Sequence, residues 1–225
     1  MSEMSSRKLR TIELLAPAKN YEQGRAAILC GADALYMGAP RFGARSAAGV
    51  PEEEIVRLCD LAHRFGAKVY VAMNTLLYEQ ELADAERIAC RMWNAGADAL
   101  IVQDMAFLRM ELPPVELHAS TQVCNTDPQR VRFLSEAGFT RVILERALSL
   151  EEIGRLSRAA DVEIETFVHG AICVSYSGRC YMSRTMGPRS GNRGDCSQSC
   201  RLPYDLLDER MRPLERNRHL LSLQD

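Results

Sequence analysis

A five-residue block occurs twice, letter for letter: Gly31-Ala32-Asp33-Ala34-Leu35 and Gly96-Ala97-Asp98-Ala99-Leu100. Gly66-Ala67-Lys68-Val69-Tyr70 and Gly138-Phe139-Thr140-Arg141-Val142 are looser copies. Each copy follows an amphipathic helical stretch and opens an apolar run. A glycine just past a helix, with a buried strand soon after, marks an αβ loop. A chain that repeats this unit is held to β–α alternation.

The helices between the copies can be read individually. Pro51 suits a first helical position, and Ile55, Leu58, Ala62 and Phe65 then share a face before Gly66. Pro128 does the same for Val131, Leu134 and Ala137. Ser149 and Glu152 form a capping-box pattern ahead of Ile153 and Leu156. The stretch from Glu81 to Ala95 carries Leu82, Ile88, Ala89, Met92 and Trp93. Cys30, Cys59 and Cys90 fall within or at the end of helical patterns, where buried inert thiols are common.

Seven short apolar runs read as strands: Glu13–Ala16, Ala34–Gly38, Lys68–Met73, Ala99–Val102, Glu116–Ala119, Arg141–Leu144 and Glu163–Val168. No antiparallel hairpin signal falls among them. Alternation of this kind predicts a parallel sheet covered by helices. No Gly-x-Gly-x-x-Gly follows the first strand, which favours a barrel over a doubly wound sheet. The fold class is therefore α/β, a TIM-like (β/α) barrel of about seven strands. At 225 residues the chain falls a little short of the roughly 250 of a closed eightfold barrel. The chain is read as one domain, 1–225.

Composition removes several classes. The formal net charge of −2 excludes a basic glove for nucleic acid, and a hydrophobic fraction of 47% excludes an acidic disordered tail. No run of eighteen apolar residues offers a membrane span. The polar, basic start from Met1 to Thr11 has no apolar signal core, which argues for a cytoplasmic protein. In that compartment the eight cysteines are ligands or buried thiols rather than a disulfide framework.

Polar residues collect where the strands end: Asn74 and Thr75, Gln103 and Asp104, Ser120 to Gln122, Glu145 and Arg146, and His169. In a barrel these ends share one face, where barrel enzymes place their chemistry. Any one of them can also be polar only because its strand stops there.

After the seventh strand the pattern changes, and no ordinary helix follows. Cys173, Cys180, Cys196 and Cys200 fall within 28 residues, separated by six, fifteen and three residues. Cys124, just after the fifth strand, is ambiguous. Four clustered thiolates mean structural zinc or an iron–sulfur cluster. Only the last spacing resembles a zinc knuckle, so the spacing leans toward iron–sulfur. The same loop carries Arg179, Arg184, Arg189, Arg193 and Arg201 against Asp195 alone, with Tyr176, Tyr181 and Tyr204 interleaved. Arginine with aromatics suits phosphate contacts and stacking on single-stranded nucleic acid. Offsetting the charge of an anionic cluster explains the arginines equally well. Gly187, Gly191 and Gly194 lack the Gly-Lys-Ser/Thr that a P-loop needs.

Glu165-Thr-Phe-Val-His-Gly-Ala-Ile-Cys173, followed by Tyr-Ser-Gly-Arg-Cys180-Tyr-Met-Ser183, resembles the signature of the peptidase U32 family. Glu13-Leu-Leu-Ala-Pro-Ala18 and Leu35-Tyr-Met-Gly-Ala-Pro-Arg-Phe-Gly-Ala-Arg45 are similar to its first strand and to its second strand and loop. Leu117-His-Ala-Ser-Thr-Gln122 and Ser190-Gly-Asn-Arg-Gly-Asp-Cys196-Ser-Gln-Ser-Cys-Arg-Leu-Pro-Tyr204 resemble the branch that hydroxylates ring carbon five of a cytidine in 23S ribosomal RNA. One departure is visible: Gly191 stands where the branch has alanine.

The resemblance implies an RNA hydroxylase that uses prephenate as its hydroxyl donor. It implies a 4Fe-4S cluster on Cys173, Cys180, Cys196 and Cys200, within a cluster loop spanning 170–204. Arg45, Asn74, Gln122 and His169 are the candidates for the donor and base pocket. Arg184, Arg189 and Arg193 are those for phosphates of ribosomal RNA or its precursor. Related branches imply three rivals: wobble-uridine hydroxylation in tRNA, oxygen-independent hydroxylation of a ubiquinone precursor, and collagenase-like proteolysis. A non-enzymatic, cluster-carrying interaction domain is a fourth. Proteolysis fits poorly, because His-Glu-x-x-His and Gly-x-Ser-x-Gly are both absent. The family's barrel continues past the region similar to His219–Asp225, so the chain is read as lacking its closing helix and strand, and as poorly stable or inactive alone.

Overall fold

The computed structural model describes residues 12–45 and 49–222, so the polar start of the chain lies outside it. Seven parallel strands pair in chain order: β1 (Leu15–Pro17), β2 (Ala34–Gly38), β3 (Lys68–Met73), β4 (Ala99–Val102), β5 (Glu116–Ala119), β6 (Arg141–Ile143) and β7 (Glu163–Glu165). The order runs in one direction without the reversal of a doubly wound sheet. The sheet is a curled half-barrel. Four of the expected strands have the bounds read from sequence, and β7 stops three residues early.

The repeated block has one task in both copies. Gly31 and Gly96 end their helices with φ of +96° and +97°, a left-handed turn that side chains other than glycine's resist. The aspartate then binds the preceding strand: Asp33 accepts the Leu14 N–H at 2.8 Å, and Asp98 accepts that of Val69 at 2.7 Å. The block both turns the chain and sets the register of the next strand.

Five helices carry the chain between the strands: α1 (Tyr21–Leu29), α2 (Glu52–Arg64), α3 (Leu82–Asn94), α4 (Pro128–Glu136) and α5 (Leu150–Leu156). Pro51 precedes α2 as its N-cap rather than opening it. Ser149 and Glu152 close the capping box on α5. Strand alternation separates two apolar layers. Leu35, Val69, Val71, Leu100, Val102 and Val142 pack outward against the helices. Ala34, Tyr70, Ala72, Ala99, Ile101 and Ile143 point into the half-barrel. Each buried Val or Leu contributes roughly 1.5–3 kcal/mol. Of the three helix thiols, only Cys59 is fully buried; Cys90 is half-buried and Cys30 is exposed at the end of α1.

A short helix, α6 (Met182–Met186), and a two-stranded antiparallel hairpin, β8 (Tyr204–Leu207) and β9 (Pro213–Arg218), follow the sheet. The sequence reading has neither. Most of the hairpin is exposed on both faces, so it lacks the alternation that reveals a half-buried strand.

The floor of the half-barrel is charged. Arg141 of β6 bonds Glu13, just ahead of β1, at 2.6 Å and Glu163 of β7 at 2.6 Å; Glu165 lies 3.4 Å away. The Tyr70 hydroxyl donates to Glu13 at 2.9 Å, and the Arg141 guanidinium lies over the Tyr70 ring. One buried guanidinium thus links β6, β7 and the entry to β1.

Removing Arg141 strands these carboxylates. Because Glu13 and Glu163 are partly exposed, we expect Arg141→Met to cost about 2–3 kcal/mol. Burial pushes the Glu13 carboxyl up, but its bonds from Arg141 and Tyr70 outweigh this and hold it below 4.5. A lowered folded value means that Glu13 contributes fully above its unfolded value and loses that contribution as pH falls through the folded one. In urea unfolding, the stability gap between wild type and Glu13→Gln should be full near neutrality and shrink below about pH 4. A gap that does not change with pH would contradict the pairing.

Candidate functional site

The C-terminal ends of the strands are tied to one another by side chains. Asn74, after β3, accepts the Ala44 N–H at 2.8 Å and donates to Ser120 after β5 at 3.1 Å. This fixes the loop that carries Arg45. Ser120 caps the short 3-10 turn Thr121–Val123, which places Gln122. Cys124 ends that turn buried and left-handed, at φ +65°.

The cysteine-bearing segment is seated over these ends at three points. Glu145, buried after β6, accepts the Ser177 N–H at 2.8 Å. Gly178, at φ +74°, packs so tightly that a Cβ would lie 1.8 Å from the Gln122 carbonyl. The Asn192 carbonyl accepts the Leu76 N–H at 3.1 Å. Beside the last contact, Arg193 grips Glu81 through two bonds of 2.7 and 2.9 Å, donates to the Leu76 carbonyl and lies over Tyr78. Arg193, expected on RNA phosphates, is thus engaged with the loop after β3. Arg189 pairs with Asp195 at 2.8 Å and donates to the Cys196 carbonyl. Arg184 is exposed and makes one bond of 3.3 Å, to the Pro188 carbonyl. Inside the segment, Ser183, Ser197 and Ser199 share a chain of hydroxyl bonds, and Tyr204 donates to the Ser199 carbonyl.

Cys173, Cys180, Cys196 and Cys200 are free thiols lining one cavity. Burial pushes the Cys200 thiol up, and the other three thiols add to the effect. The Cys196 sulfur accepts the Gln198 N–H at 3.4 Å, a bond that favours a thiolate. Among the described residues no three His, Cys, Asp or Glu side chains converge on one ion. A tetrahedral zinc would need sulfurs about 3.8 Å apart. Four thiols and no histidine or carboxylate are a donor set that both zinc and an iron–sulfur cluster accept. An alanine at Gly191 would meet Cys196 at 3.7 Å, an ordinary contact, so the departure noted there is sterically neutral.

The cavity holds about 2760 Å³ and runs from the open flank of the half-barrel to the thiols. Arg45, Asn74, Gln122, His169 and Arg189 all line it; Arg184 and Arg193 do not. His169 is exposed. The structure adds Tyr36, which the sequence reading leaves out, and draws in Ser120 and Arg146, read there only as polar strand ends. Arg146 lies over Phe167 and donates to the Ala171 carbonyl at 3.2 Å. Burial pushes the Tyr36 phenol up even though Arg45 and Arg146 both favour its ionised form. Its signal was the alternation of β2, which turns Tyr36 inward. His118 is buried on the floor, and burial, with Arg141, lowers it to about 3. Among the described residues no histidine bonds a cysteine: His63 meets Asp98, and His219 meets the Arg201 carbonyl.

The profile described as Peptidase family U32 matches residues 19–225. The 23S rRNA 5-hydroxycytidine C2501 synthase of Escherichia coli (strain K12) is 49% identical over 214 residues, which cover 95% of this chain and 33% of that protein. The tRNA hydroxylation protein P1 of Bacillus subtilis (strain 168) is 40% identical over 198 residues, covering 86% of this chain and 47% of that one. The chain thus spans a third to a half of the length of these relatives. A solved U32 peptidase matches at a TM-score of 0.59 and 16% identity, covering 69% of this chain and 68% of that one, a likeness of fold.

Gly178 gives a direct test of how the loop is seated. Gly178→Ala should unseat it, so that proteolytic cleavage within 170–204 accelerates at least about tenfold while amides of the sheet keep their protection. An unchanged cleavage rate would show that the loop does not depend on the contact with Gln122.

Proposed function

The chain belongs to the peptidase U32 family, and from that premise we propose that it is the barrel module of an RNA hydroxylase acting on carbon five of a cytidine in 23S ribosomal RNA. The observation that carries this reading is 49% identity across 95% of the chain to a protein named for that product. Prephenate is the hydroxyl donor in this reading, and Cys173, Cys180, Cys196 and Cys200 hold a 4Fe-4S cluster. When bound, the cluster supplies redox chemistry beside the cavity.

The chain's own residues have distinct tasks. Asn74 and Ser120 hold the Arg45 loop against the end of β5. Gln122 and His169 line the same cavity as the thiols and are the residues that contact the base in this reading. The hydroxyl chain of Ser183, Ser197 and Ser199 stiffens the turn that carries Cys196 and Cys200. Arg184 presents charge on the rim for RNA phosphates, whereas Arg189, paired with Asp195, steadies the turn at Cys196. Arg193 serves them indirectly, by fixing the loop to Glu81.

Proteolysis finds no support in the side chains, since no Cys–His pair is formed among the described residues. The tRNA reading draws on the 40% identity to a tRNA hydroxylation protein. Nucleoside mass spectrometry separates the targets. A strain lacking the gene should lose 5-hydroxycytidine from 23S ribosomal RNA and keep 5-hydroxyuridine in tRNA. The reverse pattern would move the substrate to tRNA, and an unchanged nucleoside profile would overturn the reading. Protein purified without oxygen should be brown and carry about four irons and four sulfides. A colourless protein with one zinc would overturn the cofactor.

A further inference from the structure

Five of the chain's seven tyrosines are engaged within the protein. Tyr70 is buried on the floor, and Tyr36 packs against the inner apolar layer. Arg57 lies over Tyr21, Arg193 lies over Tyr78, and the Tyr204 hydroxyl is bonded to the Ser199 carbonyl. Tyr176 and Tyr181 differ. Among the described residues their hydroxyls make no hydrogen bond, and no guanidinium or second ring lies over either. They are 58% and 63% exposed, yet both line the cavity that holds the four thiols. Their backbones are fixed. The Tyr176 carbonyl accepts the Arg179 N–H at 3.2 Å, and the Tyr181 carbonyl, at the start of α6, accepts those of Arg184 and Thr185 at 2.9 and 3.0 Å. Arg179 stands between the two tyrosines in sequence and also lines the cavity. Its guanidinium makes no ion pair among the described residues, whereas those of Arg189 and Arg193 do.

We propose that Tyr176 and Tyr181 form a stacking platform for unpaired nucleobases of a single-stranded RNA, with Arg179 on a phosphate of the same strand. This rests on the reading that RNA is the substrate, and it sets the form in which the RNA is bound. A phenol ring on a fixed backbone has only two torsions to lose, so it offers its face at small entropic cost. Every base has a π-face, so such a grip tolerates any sequence. A duplex hides those faces in its own stack, and only unpaired nucleotides can use the platform. Local charge selects a nucleic acid over an apolar peptide. From Cys173 to Arg201 five arginines stand against Asp195 alone. Arg189 and Arg193 are paired within the protein, which leaves Arg179 and Arg184 for the strand. Because both rings line the cavity while facing solvent, a base stacked on them lies at the cavity entrance, where a neighbouring base can enter.

Fluorescence anisotropy on the anaerobically purified protein, in the form its host makes, tests this. The probe is a labelled RNA of about twelve nucleotides that contains cytidine, used alone and annealed to its complement. The single strand should bind at least about tenfold more tightly than the duplex. Tyr176→Ala and Tyr181→Ala should each weaken it at least about fivefold and leave the dependence on salt unchanged, because stacking releases no counterions. Tyr176→Phe and Tyr181→Phe keep the ring and should bind as the wild type does. Arg179→Gln should instead lower the slope of log affinity on log salt by about 0.7. Arg87→Gln, on the exposed side of α3, serves as the control and should change nothing. The alanine variants should unfold at the wild-type temperature, since both rings are mostly exposed. A lowered unfolding temperature, or weakened binding in the phenylalanine variants, would assign the rings to packing within the protein and overturn the proposal. So would equal binding of single strand and duplex, or unchanged affinity in both alanine variants. Tyrosine-dependent binding by a protein that hydroxylates no RNA would instead count against the proposed reaction and leave the platform standing.

Discussion

Arg141 meets three glutamates on the floor of the half-barrel, and the shape of the cavity depends on that meeting. β1 and β7 are not paired with each other among the described residues, so backbone hydrogen bonds do not hold the sheet's two ends together. A buried guanidinium that bonds Glu13 and Glu163 together draws the ends into one curl. Ion pairs of this kind give little net stability when intact and cost much when broken. Their value here is geometric: they hold a parallel sheet curved, so that its C-terminal ends face a common space.

Charge is divided along the barrel axis. The floor carries one arginine against three carboxylates, with neutral His118 and Tyr70 between them. The mouth carries Arg45 and Arg146, which make no ion pair among the described residues, in the same cavity as the four thiols. The loop over the mouth is held by separate sets of contacts to the ends of β3, β5 and β6, so its position follows from the sheet rather than from its own short helix. That separation lets a rigid scaffold hold the thiols while the rim stays open to a large partner.

Much of this is legible in the sequence, and the reasons can be stated residue by residue. The block Gly-Ala-Asp-Ala-Leu announces its turn and strand because glycine and aspartate each answer a local backbone demand at Gly31, Asp33, Gly96 and Asp98. β2, β4 and β3 after Lys68 are legible because apolar residues on both faces of a buried parallel strand form an unbroken run. The cysteine spacing marks the segment that leaves the βα pattern. The hairpin of β8 and β9 is hidden because both of its faces are polar and exposed. The Arg193–Glu81 pair spans 112 positions and leaves no local trace. A lone arginine after a strand, such as Arg146, looks like any solvated strand end until the fold turns it toward Tyr36. Glu163 and Glu165 alternate along β7 and share the face that meets Arg141, a pairing that alternation alone does not announce because a strand-edge carboxylate such as Glu163 can equally be solvated.

In the proposed function the thiols over the barrel mouth serve hydroxylation of ribosomal RNA. The most direct measurement replaces Cys173 with serine at the chromosomal locus and quantifies 5-hydroxycytidine in 23S ribosomal RNA while monitoring protein abundance. Loss of the modified nucleoside with the protein still accumulating is the predicted result. Retention of the nucleoside at its wild-type level would contradict the claim.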